Sequence, residues 1–387
     1  MPGTVPAESA STGIKSEGAS IKVMVRAQAI AWSRRRFLAS ATPALLLADQ
    51  RTAPSERIRF LDATTEFEVS RLTAPSHRSL LPPPQCRIFS RRGGTSLLFS
   101  SDHGGSLQAC LLDLKDWTFR TVTAAKDLDP VSLCLTPDSR FLCFRDGQAL
   151  FAVAPGSERF REVYRWPADS LPGEAIHTIP EGPSALLVES EVKLKAVHLV
   201  SGAARLIVEN SDGVRDPMPR PRRAAVAYRT RKGGLALAYL DGTRNVLLKT
   251  PAGLVGPARW APDGRTLLYL HSPEGAVKTS NLREIDPDTG EDRLLAATSQ
   301  FAQFSPNGDA SVFVGASASK AQPHVLLLLR SVRRELVLCE HKTSTAGDAA
   351  PVFSPDSQRI FFQSDRHGNP AIYFMAVERL VEKTDGQ

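Results

Sequence analysis

Short apolar runs bounded by Pro, Asp, Gly and Ser recur along the body of the chain, and they alternate with polar turns at too short a spacing for helices. The clearest unit lies near the end, from Phe353 to Tyr373. Pro355-Asp356 predicts a tight turn, because proline presets φ and aspartate bonds its own backbone. Ile360-Phe361-Phe362 follows as a strand, Asp365 to Gly368 closes a hairpin, and Ala371 to Met375 forms the return strand.

The same turn and strand recur six more times, beginning near residues 89, 135, 179, 220, 260 and 304. The match is plain at Leu135-Thr-Pro137-Asp138, Trp260-Ala-Pro262-Asp263 and Phe304-Ser-Pro306-Asn307, and weaker at Ile179-Pro180 and Pro219-Arg-Pro221. Starts 40 to 49 residues apart have the period of a four-stranded propeller blade. Seven units predict an all-β, seven-bladed β-propeller over residues 58–379. The segment 58–73, with Phe60 and Phe67-Glu-Val69, is expected to pair with the last-blade strands of 359–377 and so leave no open sheet edge. Trp260 occupies the place of Phe304 and Phe353, which assigns it to the core. Trp117 and Trp166 are candidates for stacking on sugars.

The N-terminus reads differently. Ser33-Arg34-Arg35-Arg36-Phe37-Leu38, followed by a small apolar run to Ala48, fits a twin-arginine export signal over residues 1–48. Met24 would give a more usual start. Export would place the mature protein in the periplasm or outside the cell. The run is too short to span a bilayer, so no membrane span is expected in the mature chain. Residues 49–57 read as a linker and 380–387 as a polar tail.

Charge adds little to this picture. The formal net charge is +7, and six basic and two acidic residues within 1–48 carry four of those charges. A mildly basic body does not imply nucleic acid, and the one basic stretch, which runs from Arg215 through Arg220, Arg222, Arg223, Arg229 and Arg231 to Lys232, lacks the aromatic interleaving that base stacking needs, Val226 and Tyr228 reading as apolar strand residues. That stretch is either a groove for an acidic oligosaccharide or solvated loop charge. The five cysteines have no C-x-x-C spacing and read as small buried hydrophobes. Phosphate-binding loops, H-E-x-x-H and G-x-S-x-G elbows are absent, which excludes those enzyme classes.

The units resemble the TolB-type propeller repeat. Val69-Ser-Arg-Leu72 through His77-Arg78, then Gln85-Cys86-Arg-Ile-Phe89, resembles the opening of the oligogalacturonate lyase family, and Leu338-Cys339-Glu-His341 with Pro351-Val-Phe353-Ser-Pro355 resembles its final blade. The resemblance implies a seven-bladed propeller that cleaves pectin-derived oligogalacturonides by β-elimination with a divalent metal, typically Mn2+. It makes His77 and Arg78 the candidate base and carboxylate clamp, since arginine's planar fork suits a carboxylate. Arg229 and Arg231 stand where the family has a candidate base, and are candidates for substrate binding.

The departures concern the metal. The family's H-x-H and its preceding glutamine fall on Asp348, Ala350 and Thr345, and a further histidine corresponds to Gln300 or Phe301. Asp348 with His341 is the remaining candidate metal pair. Two functions are therefore expected to compete. One is an exported lyase-like propeller that cleaves or only binds oligogalacturonides. The other is a non-catalytic TolB-type propeller that binds a protein or glycan of the envelope.

Overall fold

The computed structural model describes residues 52–380, apart from 91–95, 156, 158, 169, 171–174, 276–279 and 299. The export motif, the start at Met24, and most of the tail lie outside the described residues. Within them the chain forms seven antiparallel sheets arranged as propeller blades. Five blades have four strands and two have five. Helical structure among the described residues is limited to two short 3-10 turns, Ala346–Ala349 and Glu378–Leu380.

Turn chemistry makes each blade. In the last one, Asp356 accepts the Gln358 N–H at 3.0 Å and is bonded by Ser354 Oγ, while Ser357 takes a positive φ of 61°. Asp138 does the same work in the second blade, bonding the Arg140 N–H at 3.0 Å and Thr136 Oγ1 at 2.7 Å. Gly264 holds the equivalent place in the fifth blade at φ 72°, where a Cβ would stand 2.2 Å from the Pro221 carbonyl oxygen of the neighbouring blade. Only glycine permits both that backbone and that approach.

The ring closes through the N-terminal strands. Glu68–Arg71 pairs with Ala371–Ala376, with Ser70 opposite Phe374 and Arg71 opposite Tyr373, and Ile58–Leu61 pairs outside it. This is the expected closure. Thr52–Ala53, inside the stretch read as a linker, adds a fifth strand to the first blade by pairing with Phe119–Thr121. The seam between first and last blades is also packed. Trp117 stacks on Phe374 at 4.6 Å, and the Arg57 guanidinium lies 4.8 and 4.9 Å from the two ring centroids. Trp117 is thus used in the seam.

Trp166 and Trp260 are buried, and their indole N–H groups reach carbonyls of adjacent blades, Val188 and Met218. All five cysteines are free and buried.

Leu72 and Leu61 test the closure. Leu72 is fully buried beside the seam and Leu61 is 66 % exposed on the outer strand. Leu72→Ala is expected to lower the unfolding free energy by about 3 kcal/mol through lost burial and a residual cavity. Leu61→Ala is expected to change it by less than about 0.5 kcal/mol. Denaturant unfolding followed by tryptophan fluorescence reads both, and equal effects would contradict this packing.

Candidate functional site

The strands that face the axis are Leu128–Leu135, His177–Thr178, Arg215–Pro219, Gly253–Trp260, Phe301–Pro306 and Val352–Phe353, with Ser79–Leu80 and the segment after it in the first blade. They surround a cavity of about 490 Å3 to which every blade contributes, through Gln85 and Arg87, Cys134, His177, Met218, Arg222 and Arg259, Ser305, and Val352. That volume falls in the range of small-molecule sites. Among the described residues, the side chains lining it include three arginines and a histidine, and no carboxylate.

Arg259 is the centre of the site. Only 6 % exposed, it reaches Gln85 Oε1 of the first blade at 3.0 Å and Gln303 Oε1 of the sixth at 3.2 Å, and its Nε donates to the Phe304 carbonyl. Among the described residues no carboxylate forms an ion pair with it. Burial lowers its pKa to about 10, with Cys86 and Asp216 opposing, so the guanidinium stays charged at neutral pH.

His177 stands in the field of the same groups. Burial drives its pKa down to about 4, with Asp216 raising it and Arg259 lowering it further. Its imidazole is therefore neutral at pH 7. The Nε2 atom is buried and has no hydrogen-bond partner.

Sequence reasoning missed both residues, although a signal exists. The side chains three places before the turn prolines are Cys134, His177, Met218, Arg259, Gln303 and Val352. Five of them line the cavity, and Gln303 bonds Arg259. The repeat register therefore marks the axial positions.

The residues singled out in the sequence lie elsewhere. Neither His77 nor Arg78 lines the axial cavity. Arg78 is exposed, and its backbone N–H bonds Asp102 Oδ1 at 2.7 Å. His77 is buried against Glu56 and His103, outside the residues that line the cavity. Arg229 pairs with Asp216 and Arg231 with Glu191. Three more cations of the basic stretch are paired: Arg220 and Arg223 share Asp288 at 2.7 and 3.2 Å, and Lys232 meets Asp212 at 2.6 Å. Arg222, from the same stretch, lines the axial cavity. Arg220 is a buried clamp between blades, bonded also to the Gly264 carbonyl at 2.7 Å.

His341 is buried with both ring nitrogens engaged, one on the Ser317 carbonyl at 3.0 Å and the other with the Thr343 N–H at 3.1 Å. Asp348 is exposed in the 3-10 turn beside Ala350. Manganese prefers several oxygen or imidazole donors around one point. Thr345, Asp348 and Ala350 offer a single carboxylate, and His341 would have to surrender bonds that hold its ring. The residues of 341–350 therefore do not fit the ion. Among the described residues, the only three-ligand cluster of His, Cys, Asp or Glu is Glu56, His77 and His103.

Comparison with known proteins gives the same fold. No family model matches the chain. An oligogalacturonide lyase of Pectobacterium atrosepticum is 24% identical over 376 residues, covering 82% of this chain and 95% of its own. The structure of an oligogalacturonate lyase in complex with manganese superposes with a TM-score of 0.77 at 24% identity, covering 85% of this chain and 98% of its own. An oligogalacturonate lyase from Vibrio parahaemolyticus gives 0.78 at 20% identity, covering 85% and 99%. The chain is thus similar to oligogalacturonide lyases in sequence and folds as a lyase-like propeller.

Proposed function

We propose that the protein binds pectin-derived oligogalacturonides in its axial cavity, with Arg259 meeting a uronate carboxylate. The observation that carries this reading is the buried, charged guanidinium in a cavity whose lining, among the described residues, includes no carboxylate. A buried charge needs a partner, and a planar carboxylate matches the arginine fork in shape and sign. Arg87 and Arg222, which line the same cavity, suit further uronate units of an acidic oligosaccharide. The similarity to oligogalacturonide lyases supports the choice of galacturonide. If the motif at Ser33 to Leu38 directs export, this binding takes place in the periplasm or outside the cell.

A second reading is β-elimination without the family's metal cage. The neutral His177, with its Nε2 unpaired beside Arg259, favours it. Base strength argues against it. A general base works best with a pKa near the working pH, and an imidazole at about 4 is a weak acceptor for a carbon-bound proton. The residues of 341–350 also do not supply a manganese site. Binding is therefore the better supported function, and manganese has no assigned role in it.

Calorimetric titration with digalacturonate checks the reading. Arg259→Gln is expected to weaken binding at least about 30-fold, from the loss of a buried charge pair. Arg231→Ala is expected to change it less than about threefold, because its exposed guanidinium is already paired. Unchanged binding in Arg259→Gln, with the fold intact by circular dichroism, would overturn the proposal. Ultraviolet absorbance of the unsaturated product should not rise, with or without Mn2+. A rise abolished by His177→Asn would establish the second reading instead.

His177 also predicts a pH dependence of stability. Its folded pKa of about 4 lies below the ordinary 6.5, so the unfolded chain takes up the proton first. Stability is then lost as pH falls from about 6.5 to about 4, by roughly 3 kcal/mol from this group. His177→Asn should flatten that part of the curve by up to one proton. Parallel curves for the two proteins would contradict the assignment.

A further inference from the structure

Three parts of the chain meet where the ring closes. Glu56 lies between Thr52–Ala53 of the first blade and Ile58–Leu61 of the last. His77 lies on the crossing from Glu68–Arg71 of the last blade to Ser79–Leu80 of the first. His103 lies in the hairpin between Ser96–Ser101 and Gln108–Asp113. We propose that Glu56, His77 and His103 form a binding site for a divalent transition-metal ion that clasps the seam of the propeller.

The geometry is that of a preformed donor set. His77 Nε2 is 3.3 Å from Glu56 Oε2, and His103 Nδ1 is 3.8 Å from Glu56 Oε1. One donor atom from each of the three residues falls within 4.8 Å of the other two. Donors held tetrahedrally at about 2.1 Å from a zinc-sized ion stand roughly 3.4 Å apart. The spacing therefore requires only a small rotation, and His103, 44 % exposed, has room for it.

A second observation points to a ligand. His77 is only 9 % exposed, and its Nε2 is buried without a hydrogen bond even though Glu56 is beside it. An ordinary histidine–carboxylate pair would align the N–H on the oxygen. Here the other ring nitrogen, Nδ1, lies 3.2 Å from Ser76 Oγ. With Nδ1–H donating to that hydroxyl, the Nε2 lone pair faces the gap, as a metal ligand's must. Glu56 is oriented too, because its Oε2 accepts the Ala74 N–H at 2.7 Å. Phe119, whose ring centroid lies 5.3 Å from that of His103, walls the other side. Two imidazoles and one carboxylate select a first-row transition ion over magnesium or calcium.

The site is separate from the axial cavity, so its test is independent of oligogalacturonide binding. The full chain, freed of metal with a chelator and carrying no histidine tag, is titrated with Zn2+ and with Co2+. One ion per chain is expected to bind, with Mg2+ failing to compete, and the melting temperature is expected to rise. Cobalt should give visible absorption characteristic of nitrogen and oxygen ligands. Glu56→Gln keeps the Ala74 bond and removes the charge, and His103→Ala changes an exposed turn residue. Each should weaken zinc at least about tenfold and abolish the thermal shift, while digalacturonate binding stays as in the parent. Absence of binding by both ions would overturn the proposal. So would zinc affinity and a thermal shift that survive in the double variant.

Discussion

The pairing of Glu68–Arg71 with Ala371–Ala376 is the constraint on which the ring depends. An open propeller would expose a row of unpaired backbone groups on its last blade, and an unsatisfied sheet edge invites association. Closure by the N-terminal strands satisfies those groups and brings Ile58–Leu61 and Glu68–Arg71 into one sheet with Ala371–Ala376. The Trp117–Phe374 stack with Arg57 adds packing at the same seam. The axial strands are thereby held around a common centre, which is what allows Arg259 of the fifth blade to reach Gln85 of the first.

That reach across the axis gives the centre its chemistry. The guanidinium is held by amide and carbonyl oxygens, none of which neutralises it. Arg229 and Arg231, outside the cavity lining, differ, since each already has a carboxylate. An exposed, paired charge contributes little to recognition, whereas a buried one in a site with few competing acceptors discriminates strongly for an anion. The same burial that makes Arg259 selective depresses the basicity of His177. One environment thus favours holding a uronate over removing its proton.

Much of the fold was legible because its signals are local. Pro355-Asp356 and its echoes make turns through bonds that span two to five residues, as the Ser354–Asp356–Gln358 cluster shows. The closing role of the Phe60 to Val69 segment followed from the need to cover an edge. The candidate site was less legible because it is made of long-range relations. Arg259 and Gln85 are 174 positions apart, and nothing near either one announces the other. The charge-rich stretch around Arg229 drew notice for its composition, but Arg229 is paired by Asp216 on the adjoining strand of its own blade and Arg231 by Glu191 in a turn of the preceding blade. The turn residue His103 and the linker residue Glu56 meet His77 only after the ring has closed.

The central claim is that Arg259 receives the uronate at the axis. A crystal structure of the protein with digalacturonate tests it most directly. The account predicts a sugar carboxylate within hydrogen-bond distance of the Arg259 guanidinium, inside the cavity lined by Gln85, His177 and Met218. Digalacturonate seated instead against Arg229 and Arg231, with the axial cavity holding none of it, would contradict the account.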